Sequence, residues 1–283
     1  GRSVLRIINW LFLGIMKIKP IFYIKKSIRL FRDKKDYHDS ILDCINIEEK
    51  YKFKSTFFFL SLSFFLSHEG RRYRLNKKKY KKQIKLLLDK GFEVGLHTSR
   101  RGFKSNRVFF REIHRLKKIL RSENQLGVRN HYLAGSFPLI WKKYDSSNLL
   151  YDSSLGWSNK AGYRADTSNP FQPFNKDTNK SFEIYEIPLI IMDCAVDYDS
   201  SEEIFEECKF YLDKALRNKS IVTILWHTDR IIGSEYKYHS EAYRLILDYC
   251  FKNKFTSMTC SQIIREAEAH KGRIQANQIC NES

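Results

Sequence analysis

The sequence predicts an α/β fold in which parallel strands alternate with helices. Seven short segments rich in aromatic and β-branched residues alternate with helical patterns over most of the 283 residues. Apolar residues make up 42% of the chain and aromatic residues 14%, which is enough for a large core and excludes a disordered protein. We expect one domain, an α/β barrel or sheet, over residues 1–272, with a helical N-terminal part at 1–50 and a polar tail at 273–283.

The periodicity of apolar residues, the helix-capping residues and the chain-breaking residues predict where each helix and strand begins and ends. Apolar and basic positions at helical spacing predict two N-terminal helices, which Pro20 separates. Gly91 is typical of a helix C-terminus and Ser201 of a helix N-terminus. The predicted helices are 3–17, 20–33, 41–49, 76–90, 104–121, 136–147, 201–218, 239–253 and 261–270. The predicted strands are 55–60, 92–98, 127–133, 149–155, 182–192, 221–227 and 255–259, with a basic loop at 66–75 and a long polar loop at 156–181.

Five successive predicted strands each end in ionisable side chains. Those side chains are His97, then Arg129 with His131, then Asp152, Asp193 and His227. Parallel barrels gather the C-terminal ends of their strands at one rim, so we expect these groups to converge. One histidine at a strand end is usually a hydrogen-bonded structural residue, but five ends in register favour a function. Imidazoles, carboxylates and a guanidinium at one rim suit a divalent metal ion and general acid–base catalysis.

Six short motifs follow one another along residues 1–268. They are EVGLHTS (93–99), GVRNHYL (127–133), YDSSLGW (151–157), AGYR with NPF (161–164, 169–171), EIPL with MD (186–189, 192–193) and LWH (225–227). No one motif is specific, but their order and spacing resemble those of polysaccharide deacetylase-like proteins. The resemblance is greatest to a bacterial branch found among surface-polysaccharide genes.

The resemblance implies a distorted (β/α)7 barrel that removes acetyl groups from N-acetylated sugars with the help of a metal ion. It makes His97 the first metal histidine, Arg129 the residue that orients the catalytic base, and His227 the catalytic acid. It places Asp152 in a Tyr-Asp motif that lines the site. Zn²⁺ is the expected cofactor, although imidazole-rich sites suit Co²⁺ and Ni²⁺ as well. The expected reaction is attack of a metal-activated water on the acetyl carbonyl, followed by protonation of the leaving amine.

Two departures from the family pattern concern the metal site. The second metal histidine of the family falls at Arg101 in this sequence, and arginine cannot bind a metal because it stays protonated. His131 is the expected replacement, as in the resembling branch. The family's Asp pair, one base and one metal ligand, has no counterpart in residues 1–50. We expect that pair, together with the first strand of the barrel, upstream of Gly1 in a longer parent protein; the alternative is a catalytically inactive relative that binds sugar or acts as a scaffold.

The long polar loop supplies candidate contacts to a carbohydrate substrate. Trp157, Tyr163 and Arg164 lie in or beside it. Its aromatic side chains either stack on sugar rings or pack the loop onto the barrel, and we expect the first role for Trp157 and Tyr163. Asp193 is a further candidate for substrate binding, with capping of the next turn as the structural alternative.

The net charge of +19 is concentrated in the first part of the chain. Residues 1–122 carry 32 basic and 10 acidic side chains, a net +22, and the remainder carries −3. Such a region suggests an anionic partner, although it is also compatible with a solvated lysine-rich surface. Because no nucleic-acid-binding motif accompanies the basic cluster at 71–82, we favour an anionic membrane surface or a lipid-linked precursor over nucleic acid. Six scattered cysteines and the lack of a signal peptide predict reduced thiols and a cytoplasmic, peripherally membrane-bound protein.

Overall fold

A computed structural model describes residues 41–62, 75–232 and 236–282. The predicted helices at 3–17 and 20–33 lie outside these residues, as does the predicted basic loop apart from its last residue. Within the described residues, the predicted α/β fold with parallel strands is confirmed.

The main sheet is parallel throughout and has the strand order β1-β2-β3-β4-β7. A second parallel pair joins β8 to β9, and β5 and β6 form an antiparallel hairpin in the long loop after β4. The strands are β1 (Thr56–Phe59), β2 (Glu93–Thr98), β3 (Gly127–Asn130), β4 (Tyr151–Asp152), β5 (Phe174–Asn175), β6 (Lys180–Ser181), β7 (Tyr185–Glu186), β8 (Ile191–Met192) and β9 (Ile224–Leu225).

One segment, residues 185–193, connects the two parallel sheets. On one side, the Ile187 amide donates to the Asp152 carbonyl at 2.8 Å. On the other side, the Ile190 amide donates to the Thr223 carbonyl at 3.2 Å. We predicted a single strand at 182–192; the segment is instead split into β7 and β8, and Pro188 between them has no N–H to continue a ladder.

The helices lie between the strands, as the alternating pattern predicts. They are α1 (Ile41–Glu49), α2 (Lys78–Asp89), α3 (Arg100–Lys104), α4 (Asn106–Leu120), α5 (Leu139–Asp145), α6 (Ser201–Asn218), α7 (Thr228–Ile232), α8 (Lys237–Lys252) and α9 (Cys260–Glu282). The predicted helix at 104–121 is observed as α4, which begins at Asn106 because the Ser105 hydroxyl accepts from the Val108 amide. The short helix α3 before it was not predicted. Ser200 rather than Ser201 caps α6. No helix among the described residues is long and apolar enough to cross a membrane.

The edge strand β1 of the main sheet and the strand β9 of the second sheet lie near one buried cluster, an arrangement compatible with a barrel. Phe57 on β1 and Trp226 after β9 pack against the same buried cluster, which contains Cys44 and Ile231. The predicted strand at 255–259 is wrong: the Ser257 hydroxyl bonds to both the amide and the carbonyl of Lys54, in place of a strand ladder. The last helix is longer than predicted and continues through the polar segment to Glu282.

Candidate functional site

His97 and His131 lie next to each other at the ends of neighbouring strands. His97 pairs with Arg129 in the β2–β3 register, and His131 begins the 3₁₀ turn that follows β3. The centroids of the two imidazole rings are 4.9 Å apart. His97 Nδ1 lies 2.9 Å from the Arg129 carbonyl oxygen, which can only accept, so Nδ1 carries the proton and donates it. The Nε2 lone pair of His97 is therefore available as a ligand.

Burial keeps His97 in the neutral form that a metal requires. Burial lowers its pKa well below the usual value, and the charges of His131 and then His227 lower it further. Since both histidines act on the charge of His97, these three predicted site residues lie in one electrostatic neighbourhood. The Tyr132 ring stacks on the His131 ring at 4.0 Å, with Tyr132 in the left-handed region at φ 61°.

A buried carboxylate on α4, that of Glu112, accepts hydrogen bonds from the two residues that follow His97. The Glu112 side chain accepts from the Thr98 hydroxyl at 2.6 Å and from the Ser99 amide at 3.3 Å. Gly102 leaves room for this carboxylate, because a Cβ there would lie 2.1 Å from Glu112 Oε2. No motif in the sequence indicated Glu112, which lies on the otherwise apolar buried face of an amphipathic helix.

Arg129 is buried and is fixed by the start of the loop after β4. Its Nε donates to the Ser153 carbonyl at 2.9 Å, and an Nη donates to the Ser153 hydroxyl at 2.8 Å. Its guanidinium lies 4.4 Å from the centroid of the Phe58 ring. Burial lowers the pKa of Arg129, but a guanidinium stays protonated in proteins, so a positive charge is held inside the sheet.

Asp152 and Glu186 form a carboxyl pair that offsets this charge. They are directly opposite in the β4–β7 register, and both are fully buried. Burial raises the pKa of Asp152 to about 7, and burial together with the Asp152 charge raises the pKa of Glu186 well above its usual range. One proton shared between the two carboxyls leaves a single negative charge near Arg129.

The hydrogen bonds of this pair hold the loop that begins after β4. The Ser154 hydroxyl donates to Asp152 Oδ1 at 2.5 Å. Glu186 accepts from the Trp141 indole at 2.8 Å and from the Leu155 amide at 3.0 Å. Asp152 Oδ2 has no donor from elsewhere among the described residues, and the shared proton supplies one. Asp152 thus lies behind the site surface, and Glu186, which we did not assign from the sequence, is its partner.

Asp193 and His227 form the second half of the candidate site. Asp193 follows β8 and is fully buried, whereas the side chain of His227 is 43% exposed. Asp193 Oδ1 lies 2.8 Å from His227 Nδ1, and Oδ2 accepts from the His227 backbone amide at 2.6 Å. Burial lowers the pKa of His227, but the Asp193 carboxylate outweighs burial and raises that pKa to about 10. Conversely, the pKa of Asp193 is lowered: burial raises it, but the His227 charge and hydrogen bonds outweigh burial.

This pair is held from behind by groups that the sequence did not single out. His239 Nε2 lies 3.1 Å from the Asp193 carbonyl oxygen, and an Arg230 Nη lies within hydrogen-bonding distance of that imidazole, at 2.6 Å. Arg230 Nε is 3.9 Å from Asp193 Oδ2. In the structure the Asp193 carboxylate faces His227. The expectation that Asp193 contacts substrate stays a prediction.

The three loop residues predicted to bind substrate lie in different surroundings. The Arg164 guanidinium lies 5.2 Å from the Trp157 ring and 5.4 Å from the Phe137 ring, and donates to the Gly156 carbonyl. Trp157 is 37% exposed, so it forms an accessible aromatic surface with Arg164. Tyr163 packs against Tyr211 on α6, with ring centroids 5.9 Å apart, and this contact joins the loop to the barrel.

Solved structures with the same fold are known, although no protein-family model and no curated protein sequence matches the chain. A protein from Mycobacterium smegmatis assigned as a polysaccharide deacetylase has a TM-score of 0.58 and 15% identity, over 86% of this chain and 84% of that one. PuuE allantoinase has a TM-score of 0.60 and 14% identity, over 81% and 72%. A Bordetella bronchiseptica protein assigned as a polysaccharide deacetylase in O-antigen biosynthesis is 14% identical, over 82% of this chain and 85% of that one, but its TM-score of 0.38 adds nothing to the argument. The chain thus has the fold of these polysaccharide deacetylase and allantoinase structures, as the resemblance of its motifs implies.

Proposed function

We propose that this protein removes the acetyl group from an N-acetylated sugar of a surface polysaccharide or its precursor, with the help of a divalent metal ion. One observation carries the proposal: a neutral imidazole, His97, lies beside His131 with ring centroids 4.9 Å apart, and its charge is also affected by a protonated histidine, His227. Metal-assisted amide hydrolysis needs both kinds of imidazole, one to bind the cation and one to protonate the amine.

The donor set near His97 fits a metal in part. His97 is a neutral imidazole with its Nδ1–H fixed by a backbone carbonyl, which is the usual arrangement of a metal-binding histidine. Among the described residues, no third His, Cys, Asp or Glu ligand atom completes a close three-ligand group with His97 and His131. We propose these two side chains as ligands. A bound Zn²⁺ supplies polarisation of the acetyl carbonyl and activation of a water.

The other residues of the chain then have separable roles in the proposal. His227 donates a proton from Nε2 to the leaving amine, since its Nδ1 is directed at Asp193. Asp193 is a positioning residue that keeps this imidazole charged. Arg129 and the Asp152–Glu186 pair fix the loop after β4, and Trp157 and Arg164 at that loop offer a surface on which a sugar ring can stack.

Metal content and turnover test the proposal together. Zinc would be counted by mass spectrometry in the purified, zinc-reconstituted full-length protein, and acetate release would be followed with an N-acetylated oligosaccharide. His97→Ala and His131→Ala are expected to lose one equivalent of zinc and the acetate release. His114→Ala, a matched control on the exposed face of α4, is expected to lose neither. Unchanged zinc in both site variants would overturn the metal assignment, and zinc binding without acetate release would favour a sugar-binding protein over an enzyme.

A basic surface on the outside of the fold supports an anionic bilayer as a further partner. On α4 the exposed positions Arg107, Phe110, Arg111, His114 and Lys118 recur at helical spacing and form one stripe. The neighbouring helix α2 exposes Lys78, Lys81, Lys82, Lys85 and Leu88 in a similar stripe. Lysine and arginine around exposed Phe and Leu side chains suit anionic headgroups with a shallow apolar contact.

Vesicle co-sedimentation tests this partner. We expect binding to vesicles containing phosphatidylglycerol, little binding to pure phosphatidylcholine, and a loss of binding with rising salt. The double variant Arg107→Glu/Arg111→Glu should release the protein, whereas Arg217→Glu/Lys219→Glu, an equal charge change at the end of α6, should not. Equal release by both variants, or binding to duplex DNA without vesicle binding, would refute the assignment.

A further inference from the structure

We infer that Asp193, Cys194 and His227 form a second metal site, which takes a thiophilic divalent cation such as Zn²⁺ or Cd²⁺. One oxygen, one sulfur and one nitrogen donor from these residues lie within 4.8 Å of one another. Cys194 and His227 are both exposed, so a cation and a completing water have access from solvent.

The spacing of the donors agrees with tetrahedral coordination. Zinc–sulfur and zinc–imidazole bonds of about 2.3 and 2.0 Å at a tetrahedral angle place the two donors roughly 3.5 Å apart. The Cys194 Sγ is 3.7 Å from His227 Nδ1. Asp193 Oδ1, at 2.8 Å from the same nitrogen, needs only a small shift to become the third ligand once the intervening proton is gone.

The backbone holds the three donors in place without a metal. The Asp193 amide donates to the Leu225 carbonyl at 3.1 Å, which ties the end of β8 to the end of β9. His239 and Arg230 hold the Asp193 carbonyl from behind. The Arg230 charge, 3.9 Å from Asp193 Oδ2, opposes a cation, so we expect reversible binding and not a permanent structural metal.

Occupation of this site changes the state of His227. Binding replaces the thiol proton of Cys194 and the Nδ1 proton of His227, so one cation enters and two protons leave. His227 is then a neutral, metal-bound imidazole and no longer an imidazolium acid. If the proposed function holds, a cation at the second site inhibits deacetylation. Excess zinc would then inhibit the protein, and a chelator would reverse the inhibition.

Cobalt spectroscopy tests the second site without any assay of activity. Co²⁺ titrated into the full, metal-free chain should give the near-ultraviolet charge-transfer absorption of a cobalt–thiolate bond. Cys194→Ser and His227→Gln should abolish or strongly weaken that absorption, whereas His97→Ala should keep it. Cys280→Ser removes a cysteine that is not among the three proposed ligands and should also keep it.

The results separate this inference from the proposed function. No thiolate absorption in the wild type, or the same absorption in Cys194→Ser, would overturn the second site. Loss of the absorption in His97→Ala would also overturn it, since one shared site would then explain the binding. If acetate release is found, excess zinc should inhibit the wild type several-fold more than Cys194→Ser, each relative to its own rate without added zinc. A lack of acetate release would count against the proposed function and leave the cobalt result to decide the site.

Discussion

The Asp193–His227 pair sets the charge of the proposed acid, so Asp193→Asn should discharge it near neutral pH. With the pKa of His227 at about 10, the imidazole is almost fully protonated at pH 8. Without the carboxylate its pKa should fall toward the ordinary value of about 6.5, which leaves about 3% of the imidazolium at pH 8. We therefore expect a loss of about 30-fold in imidazolium at that pH. An NMR titration of the His227 ring measures this directly, and the basic limb of any pH–rate profile should move with it.

The same pair makes a pH-dependent contribution to stability. A raised histidine pKa stabilises the fold fully below the unfolded value of about 6.5, and the contribution is lost as pH rises through about 10. Because His227 is 43% exposed, solvent screens the pair, and we expect about 1–2 kcal/mol. Asp197→Asn is the matched control, since that carboxylate contacts Arg230 and His239 instead of His227. A His227 titration near pH 10 that survives Asp193→Asn would refute the assignment.

Two further predictions concern the sheet behind the site. Asp152→Asn keeps the acceptor for Ser154 and puts an amide donor where Oδ2 lacks one. Since burial raises the pKa of Asp152 to about 7, the wild type should lose stability as pH rises from about 4 through 7. The Asp152→Asn variant should lose less over the same range. An equal change of melting temperature with pH in both proteins would contradict the shared proton. Gly127→Ala should destabilise the fold by about 2–4 kcal/mol, because a Cβ there would lie 1.8 Å from the Tyr151 ring. Chemical denaturation measures this loss of stability. The control is Gly91→Ala, where a Cβ would lie in open space but the backbone has a positive φ, and we expect it to cost about 1 kcal/mol.

The alternation of apolar strands and helical patterns was sufficient to predict most of the fold. The order of β1, β2, β3 and β4 follows the chain, and the helices between them begin near the predicted residues. Two strand predictions failed because the regular backbone pairing of a strand is replaced or interrupted. At 255–259 the Ser257 hydroxyl bonds to the Lys54 backbone, and at 182–192 Pro188 interrupts the ladder. Apolar content does not reveal either event.

The candidate site was predictable in its residue types and only partly in its pairings. His97, His131 and His227 could be recognised as polar residues at the ends of predicted strands, because hydrophobic periodicity and residue polarity are local properties of the sequence. The partners of these residues depend on contacts between distant segments. Glu186 meets Asp152 through strand register, and Cys194 meets His227 because β8 lies beside β9. Asp193 was visible as a carboxylate at the end of the predicted strand 182–192, but its hydrogen bond to His227 spans more than thirty residues of sequence and left no local pattern.

The connecting segment 185–193 has a consequence for how the two groups of histidines are spaced. Its first part is bonded to the strand beside Arg129, and its last part is bonded to the strand that carries His227. The separation between His97 and His131 on one side and His227 on the other is therefore set by the length and kink of one short stretch of backbone. A longer stretch would move His227 away from His97 and His131 and leave all three side chains unchanged.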